Sequence, residues 1–331
     1  FKQKTAYEIR LSLVGSEMCI RDRSWGLNRY GQLGDGTVTD KGVPVAIDIR
    51  EITTLSGGGW HSLALKKDST VWAWGLNNYG QLGDGTIANK SSPVQVSMLT
   101  NITNIAAGGF HSLALKNDST VWAWGFSANY QLGDIHYTEK MCRCQSVPVQ
   151  ISVLKNIISI VGQYKYSLAL KSDGTVWLWG QHEKDQLSGN VFVNKQPFQI
   201  SEIVNIKAIA GGKYHSLALS KDGTVWAWGE NNKGQIGDDS SLEKISPIKV
   251  NGLVGVIAIA AGDYYSIALK EDGTVWAWGK NNKGQLGDGS TIQRASPVQV
   301  KGIPEISTIT AGGDNCLAVS SDGKVWTWGK E

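Results

Sequence analysis

Long apolar runs, blocks of like charge and patterned cysteines are all missing from this 331-residue chain, and each absence removes a class of protein. No stretch of 18 apolar residues occurs, so no segment reads as a membrane-spanning helix. The 32 basic and 29 acidic residues are dispersed, without a run of five of one sign, and leave a formal charge of +3. That balance argues against nucleic acid or a membrane surface as the partner. The four cysteines, Cys19, Cys142, Cys144 and Cys316, share no common spacing, so they imply no regular disulfide framework and leave the redox compartment open. The chain opens at Phe1 without a methionine, and residues 1–24 follow neither a signal-peptide layout nor the pattern described next. We read 1–24 as a non-repeat leader, 25–331 as the domain, and the whole as a piece of a longer protein.

What the chain has in excess is glycine, 40 residues, and tryptophan, 14 residues, and both recur at a fixed interval. Trp-Gly stands at Trp25, Trp74, Trp124, Trp179, Trp228, Trp278 and Trp328, with separations of 49, 50, 55, 49, 50 and 50 residues. Seven marks bound six periods, the signature of a repeat architecture, which also explains how 331 residues form one domain.

Within a period the residues set a simple order of elements. After Trp74-Gly75 comes the polar, glycine-rich run Asn77, Asn78, Gly80, Gln81, Leu82, Gly83, Asp84, Gly85, which reads as a loop. Pro93-Val94-Gln95-Val96 follows as a short strand opened by proline, suited to a sheet edge. Ile102 and Ile105 lead into Ala106-Ala107-Gly108-Gly109, where the absence of side chains permits close backbone approach. Ser112-Leu113-Ala114-Leu115 and Thr120-Val121-Trp122-Ala123-Trp124 then alternate as two strands of a hairpin. In four periods the connector ends in Asp-Gly (Asp173-Gly174, Asp222-Gly223, Asp272-Gly273, Asp322-Gly323), a strong turn signal. Trp122 and Trp124 share one strand face and Val121 and Ala123 the other, so both faces are apolar and both require burial. Four-stranded sheets stacked face to face satisfy that requirement. The expected fold class is all-β: a closed β-propeller of four-stranded blades, with six clear repeats, and seven blades if the N-terminal segment forms a degenerate blade.

The run Ala-Gly-Gly-x-His-Ser-Leu-Ala-Leu, then Asp-Gly-Thr-Val-Trp-Ala-Trp-Gly, then Asn-Asn-x-Gly-Gln-Leu-Gly-Asp-Gly closely resembles the repeat of the regulator of chromosome condensation family, over residues 25–331. The resemblance implies a propeller, known in that family with seven blades. It also implies a protein-interaction scaffold rather than an enzyme, with guanine-nucleotide exchange on a small GTPase as the alternative activity. The family's exchange surface includes a projecting hairpin and its chromatin contact a basic tail. Here the only excess is a loop some five residues longer than its fellows, and no basic tail is present.

Closure admits two readings. Residues 25–49 could complete the blade that 306–329 begin, a clasp that hides sheet edges, or Ile9–Val14 could start a degenerate first blade.

Candidate chemistry has to be weighed against the repeat. His61, His111 and His215 occupy one position, filled elsewhere by Tyr166, Tyr265 and Asn315, which favours a hydrogen-bonding structural role over a metal site. The loops at Asp84-Gly85 and Asp288-Gly289 lack the ligand spacing of calcium or phosphate loops, so no cofactor is expected. Trp60, Phe110, Tyr164, Tyr214 and Tyr264 precede the Ser-Leu-Ala-Leu strand; they suit packing, or else a surface or secreted module binding glycans or other small ligands.

Departures from the repeat are the more informative residues. The third-period loop carries His136, Tyr137, Glu139, Met141, Cys142 and Cys144; the fourth replaces Asn-Asn-x-Gly with His182, Glu183, Lys184 and Asp185 and adds Phe192. These are the candidate partner-binding loops, since binding commonly resides on loops carried by a rigid scaffold. Drift in loops under little constraint is the competing explanation. Cys142-x-Cys144 with His136 and Met141 could hold a soft metal, although the spacing matches no structural zinc pattern.

Overall fold

The computed structural model describes residues 22–133, 143–184 and 191–330, with the side chains of 182–184 and 191–192 outside the description. Every regular element among them is a β-strand, and no helix is long and apolar enough to cross a membrane. Strands β1 (Arg23–Gly26) and β2 (Lys41–Ala46) form a two-stranded sheet. Four-stranded antiparallel sheets follow in chain order: β3 (Ile52–Gly57), β4 (His61–Lys66), β5 (Val71–Gly75), β6 (Lys90–Gln95); then β7 (Ile102–Ala107), β8 (His111–Lys116), β9 (Val121–Phe126), β10 (Cys144–Gln150). The next is β11 (Ile157–Gly162), β12 (Tyr166–Lys171), β13 (Val176–Lys184), β14 (Val191–Ile200). Two more are β15 (Ile206–Gly211), β16 (His215–Ser220), β17 (Val225–Gly229), β18 (Lys244–Lys249), and β19 (Val256–Ala261), β20 (Tyr265–Lys270), β21 (Val275–Gly279), β22 (Arg294–Gln299). The last sheet has three strands, β23 (Ile306–Gly312), β24 (Asn315–Ser320) and β25 (Val325–Gly329).

The all-β class and the four-stranded blade are as expected, with five sheets of four strands and a last sheet of three among the described residues. Strand β2 bonds to β1 through Arg23↔Ala46 and Ser24↔Val45. Ile9–Val14 lies outside the described residues.

The chain divides into two compact units, each described by itself. One comprises Phe1–Ser167, Trp179–Gln181 and Asn194–Pro197; the other comprises Leu168–Leu178, His182–Val193 and Phe198–Glu331. In the first, Val71 and Ala73 of β5 meet Trp122 and Trp124 of β9 in a core completed by Leu63, Leu82, Val96 and Ile102. The second repeats the device, with Val225 and Ala227 of β17 against Trp276 and Trp278 of β21. Large rings from one sheet thus fill the relief left by small and branched residues of its neighbour, as the two-faced strand requires.

The hairpin between the second and third strands is fixed locally. Asp68 Oδ1 accepts from Thr70 N at 3.0 Å and Thr70 Oγ1 at 2.6 Å, Thr70 Oγ1 accepts from Trp72 Nε1 at 3.2 Å, and Lys66 Nζ sits 5.6 Å over the Trp72 ring. The residue after the aspartate has a positive φ, +82° at Gly174 and +75° at Gly273, but in two hairpins it is Ser69 and Ser119, both at +64°. A Cβ in that region is strained and glycine is not, while glycine loses more entropy on folding. Ser69→Gly and Ser119→Gly should therefore each stabilise the fold by about 0.5–1 kcal/mol. Raised denaturant midpoints with unchanged slopes would show it; lowered midpoints would refute it.

Candidate protein interface

The repeat's polar residues build a latch from sheet to sheet, and what the latch consumes cannot serve as chemistry. In the first unit, the Gln81 carbonyl accepts from Trp124 Nε1 at 2.9 Å and from Ser112 Oγ at 2.8 Å, both on the following sheet. His61 Nε2 lies 2.9 Å from that same Ser112 Oγ. Because the serine proton is committed to Gln81, the imidazole must be the donor, which leaves Nδ1 as a buried bare acceptor. His111, Ser167, Gln131 and Trp179 repeat the arrangement in this unit, and His215, Ser266, Gln235 and Trp278 repeat it in the other. Burial holds these imidazoles neutral, pushing His61 down to about 4 and His111 and His215 to about 3. Tyr265 Oη of β20 donates to Asn315 O of the final sheet at 2.5 Å, and there Cys316 Sγ takes the place of the serine, 3.3 Å from Gln285 O. Cys316 is buried and its thiol is pushed up to about 12, so it is inert.

Glycines in these turns, paired as in Gly58-Gly59 and Gly108-Gly109, make room for this latch. A Cβ on Gly108 would run into the His111 ring and come 2.7 Å from Gln163 O.

The loops after Trp-Gly are organised by one buried asparagine. Asn77 Oδ1 accepts from Leu82 N at 2.9 Å while its Nδ2 serves Asp84, Thr86 and Ala88; Asn28, Asn231 and Asn281 hold the corresponding loops. The Asp84 carboxylate is spent on Thr86 and on Lys90 at 3.4 Å, and Asp288 on Ser290 and on Arg294 at 2.9 Å. Sequence reading missed both the asparagine and the glutamine. The signal was available, since the third and fourth periods, which diverge, carry Ser127 and His182 where the others have this asparagine. Without it, His182, Glu183 and Lys184 extend β13 rather than forming the expected loop, and Phe192 lies within β14. His136, Tyr137, Glu139, Met141, Cys142 and Asp185 lie outside the described residues. Cys144 begins β10, fully buried and disulfide-bonded, so its sulfur is not the soft-metal ligand considered above.

The turn between first and second strands and the loop after Trp-Gly share one end of each sheet, shown by Leu76 N donating to Trp60 O and Phe126 N to Phe110 O, both at 2.9 Å. In the first unit that end is aromatic. Tyr79 contacts Phe110 and Phe126 with centroids 5.6 and 4.6 Å apart, and Phe110 contacts Tyr164 at 5.9 Å. All four rings are half-buried. Tyr164 is not at the repeated aromatic position, as expected above; Lys165 holds it, and Tyr164 joins the cluster from one residue earlier. Next to Phe126 in the chain, Ser127 N donates to Arg143 O at 2.8 Å, and Lys195 Nζ lies 5.3 Å over the Tyr130 ring.

In the second unit the Tyr79 and Phe126 positions carry Lys233, Lys283, Glu230 and Lys280, while the Phe110 position stays aromatic in Tyr214 and Tyr264, whose centroids are 5.9 Å apart. Lys213 lies over Tyr214 at 5.4 Å, Lys280 lies over Tyr264 at 5.6 Å and pairs with Asp314 at 2.8 Å. Burial raises the Asp263 carboxyl despite Lys213, and Glu230 is raised likewise. Among the described residues no group of three or more His, Cys, Asp and Glu side chains is placed to hold a metal ion.

The solved structures most like this chain include the complex of Kap60 with yeast RCC1 (Prp20), 24% identical with a TM-score of 0.80 over 94% of this chain and 79% of that one. Prp20p from Saccharomyces cerevisiae, reported with its binding to Gsp1p and histones, is 25% identical with a TM-score of 0.80 over 95% and 82%. Human WBSCR16 is 24% identical with a TM-score of 0.78 over 91% and 82%. A comparison with curated protein sequences gives no match. The family described as RCC1-like domain matches residues 24–331. The chain therefore belongs to the RCC1-like domain family, and its sheets are the blades of a β-propeller.

Proposed function

We propose that this chain is a non-catalytic protein-interaction module whose partner docks on the loop end of the first unit. The observation that carries the reading is the mutual cluster of half-exposed Tyr79, Phe110, Phe126 and Tyr164, in which Tyr79 and Phe126 stand where the other unit places Lys233, Lys283, Glu230 and Lys280. Aromatic anchors surrounded by polar loops are the usual centre of a protein interface. In this proposal His136, Tyr137, Glu139, Met141 and Cys142 of the divergent third period contribute to the same partner-binding surface, and His182, Glu183, Lys184, Asp185 and Phe192, which belong to the second unit, are separate candidates for partner contact. Protein partners recorded for the structural neighbours, Kap60, Gsp1p and histones, support an interaction role.

The test is affinity capture with the wild-type chain and with Tyr79→Ser/Phe126→Ser. Partners held by this surface should be lost from the variant, with affinities reduced at least tenfold, or about 1.4 kcal/mol. A variant that keeps its melting temperature and its partners would sink the assignment. Release of labelled GDP from small GTPases separates the exchange alternative; none is expected at micromolar protein.

A further inference from the structure

The loop between β17 and β18 carries an aspartate where its fellows have glycine. The second glycine of Gly-Asp-Gly stands at Gly36, Gly85 and Gly289 with φ of +82°, +83° and +84°, and Asp239 takes that place here at +67°. Aspartate tolerates this left-handed backbone better than most residues. Its main chain keeps the repeat's bond to the next outer strand, Asp239 N to Ala295 O at 3.1 Å. The carboxylate adds two more bonds: Oδ1 accepts from Ser296 Oγ of β22, and Oδ2 from Asn251 Nδ2 at 2.9 Å. They hold the Asp239 carboxyl below its ordinary value, and so ionised. Asn251 opens the turn after β18, where its N–H donates to Gly237 O at 3.1 Å. Gly252 follows at φ +72°, with open space where a Cβ would stand. Both residues are exposed, and they form the sole Asn-Gly pair in the sequence. Among the described residues nothing accepts from the Gly252 N–H.

We propose that Asn251-Gly252 is a self-modifying site, where the side-chain amide becomes an acid through a succinimide, and that Asp239 acts as its brake. The Gly252 nitrogen gives its proton to hydroxide and attacks Asn251 Cγ. A C–N bond forms and closes the succinimide ring; the Cγ–Nδ2 bond breaks, and Nδ2 leaves as ammonia after taking a proton from water. Water then opens the ring at either carbonyl and leaves aspartate or isoaspartate. The net change is amide plus water to carboxylate plus ammonium, with no oxidant or reductant. Glycine opens this route because no Cβ crowds the attack, and here no acceptor among the described residues holds its N–H. The brake has two parts. The bond to Oδ2 fixes the Asn251 side chain, and the Asp239 charge beside it disfavours a second negative charge on the Gly252 nitrogen. Conversion removes an N–H donor from this contact and puts a like charge in its place. The tie from Asn251 to the loop is then lost, and isoaspartate also adds a carbon to the main chain of the turn. The site therefore changes a tied loop into a released one, once and irreversibly, and needs no enzyme.

The experiment ages the intact chain at mildly alkaline pH and follows each asparagine by peptide mass spectrometry, scoring aspartate and isoaspartate separately. Conversion is expected at Asn251 ahead of every other asparagine. Hydrogen exchange at the Asp239 and Asn251 amides should quicken as Asn251 converts. Asn251→Ser, the residue type that Ser97 has at this repeat position, should show no such change on ageing. Asp239→Gly, which installs the repeat's own residue, and Asp239→Asn, which removes only the charge, should both convert Asn251 several-fold faster. Asn232 and Asn282, exposed asparagines of the same unit, should keep their rates in both variants. Asn251 converting no faster than Asn232 and Asn282 in the unmutated chain would overturn the site. An unchanged or slower rate in either Asp239 variant, or a rise shared by Asn232 and Asn282, would overturn the brake.

Discussion

Lowering the pH from 7 to 5 is expected to destabilise the fold by several kcal/mol, through three histidines that touch no ligand. His61, His111 and His215 are fully buried and titrate at about 4, 3 and 3, whereas an unfolded histidine binds its proton near 6.5. Between those values the unfolded chain takes up protons that the folded chain refuses. The contribution to stability is complete above about pH 6.5 and is lost as the pH falls toward the folded values, amounting to about 2 kcal/mol per histidine at pH 5. Asp263 and Glu230, whose carboxyls are raised by burial, act in the opposite sense and offset part of the loss. Carboxylates held low, such as Asp288 at about 2, matter only below their unfolded value of 3.8. Denaturant titrations at pH 7, 6 and 5 measure the slope. His111→Tyr, which installs the residue type that Tyr166 and Tyr265 carry at this position, should remove roughly a third of it. An unchanged slope in that variant would remove the histidines from the account.

Trp124→Ala should cost about 3–5 kcal/mol, the usual price of emptying a buried aromatic site. That ring is 0% exposed, packs on Ala73, Val71 and Val96, and donates to Gln81 O. Domains are stable by only about 5–15 kcal/mol, so the variant stands near the unfolding limit. Trp124→Phe separates packing from bonding. It keeps most of the apolar volume, drops one donor to a carbonyl still served by Ser112, and should cost about 1–2 kcal/mol. Trp122, half-buried with its indole N–H donating to Thr120, should lose clearly less than Trp124 on the same change to alanine. Equal losses at 122 and 124 would contradict the seam as described.

Trp122 and Trp124 also show why the fold was legible in the chain. A two-residue alternation with both faces apolar has few solutions, and the 50-residue period repeats the constraint until stacked sheets are the only economical one. The aromatic cluster was legible only in part. Phe110 could be read from its repeat position, but Tyr164 sits one place off it, and its contact with Phe110 depends on how adjacent turns meet. Phe126 gave no signal, being an ordinary residue after Trp-Gly until its ring is found against Tyr79.

By itself the sequence determined the period, the strand order, the hairpins and the buried tryptophan faces, because these follow from local alternation and turn chemistry. Only the tertiary structure decided what the polar residues do. Ser112, Gln81 and His61 are far apart in the chain and look like ordinary polar positions, and their roles exist only once one sheet presents a carbonyl to the next.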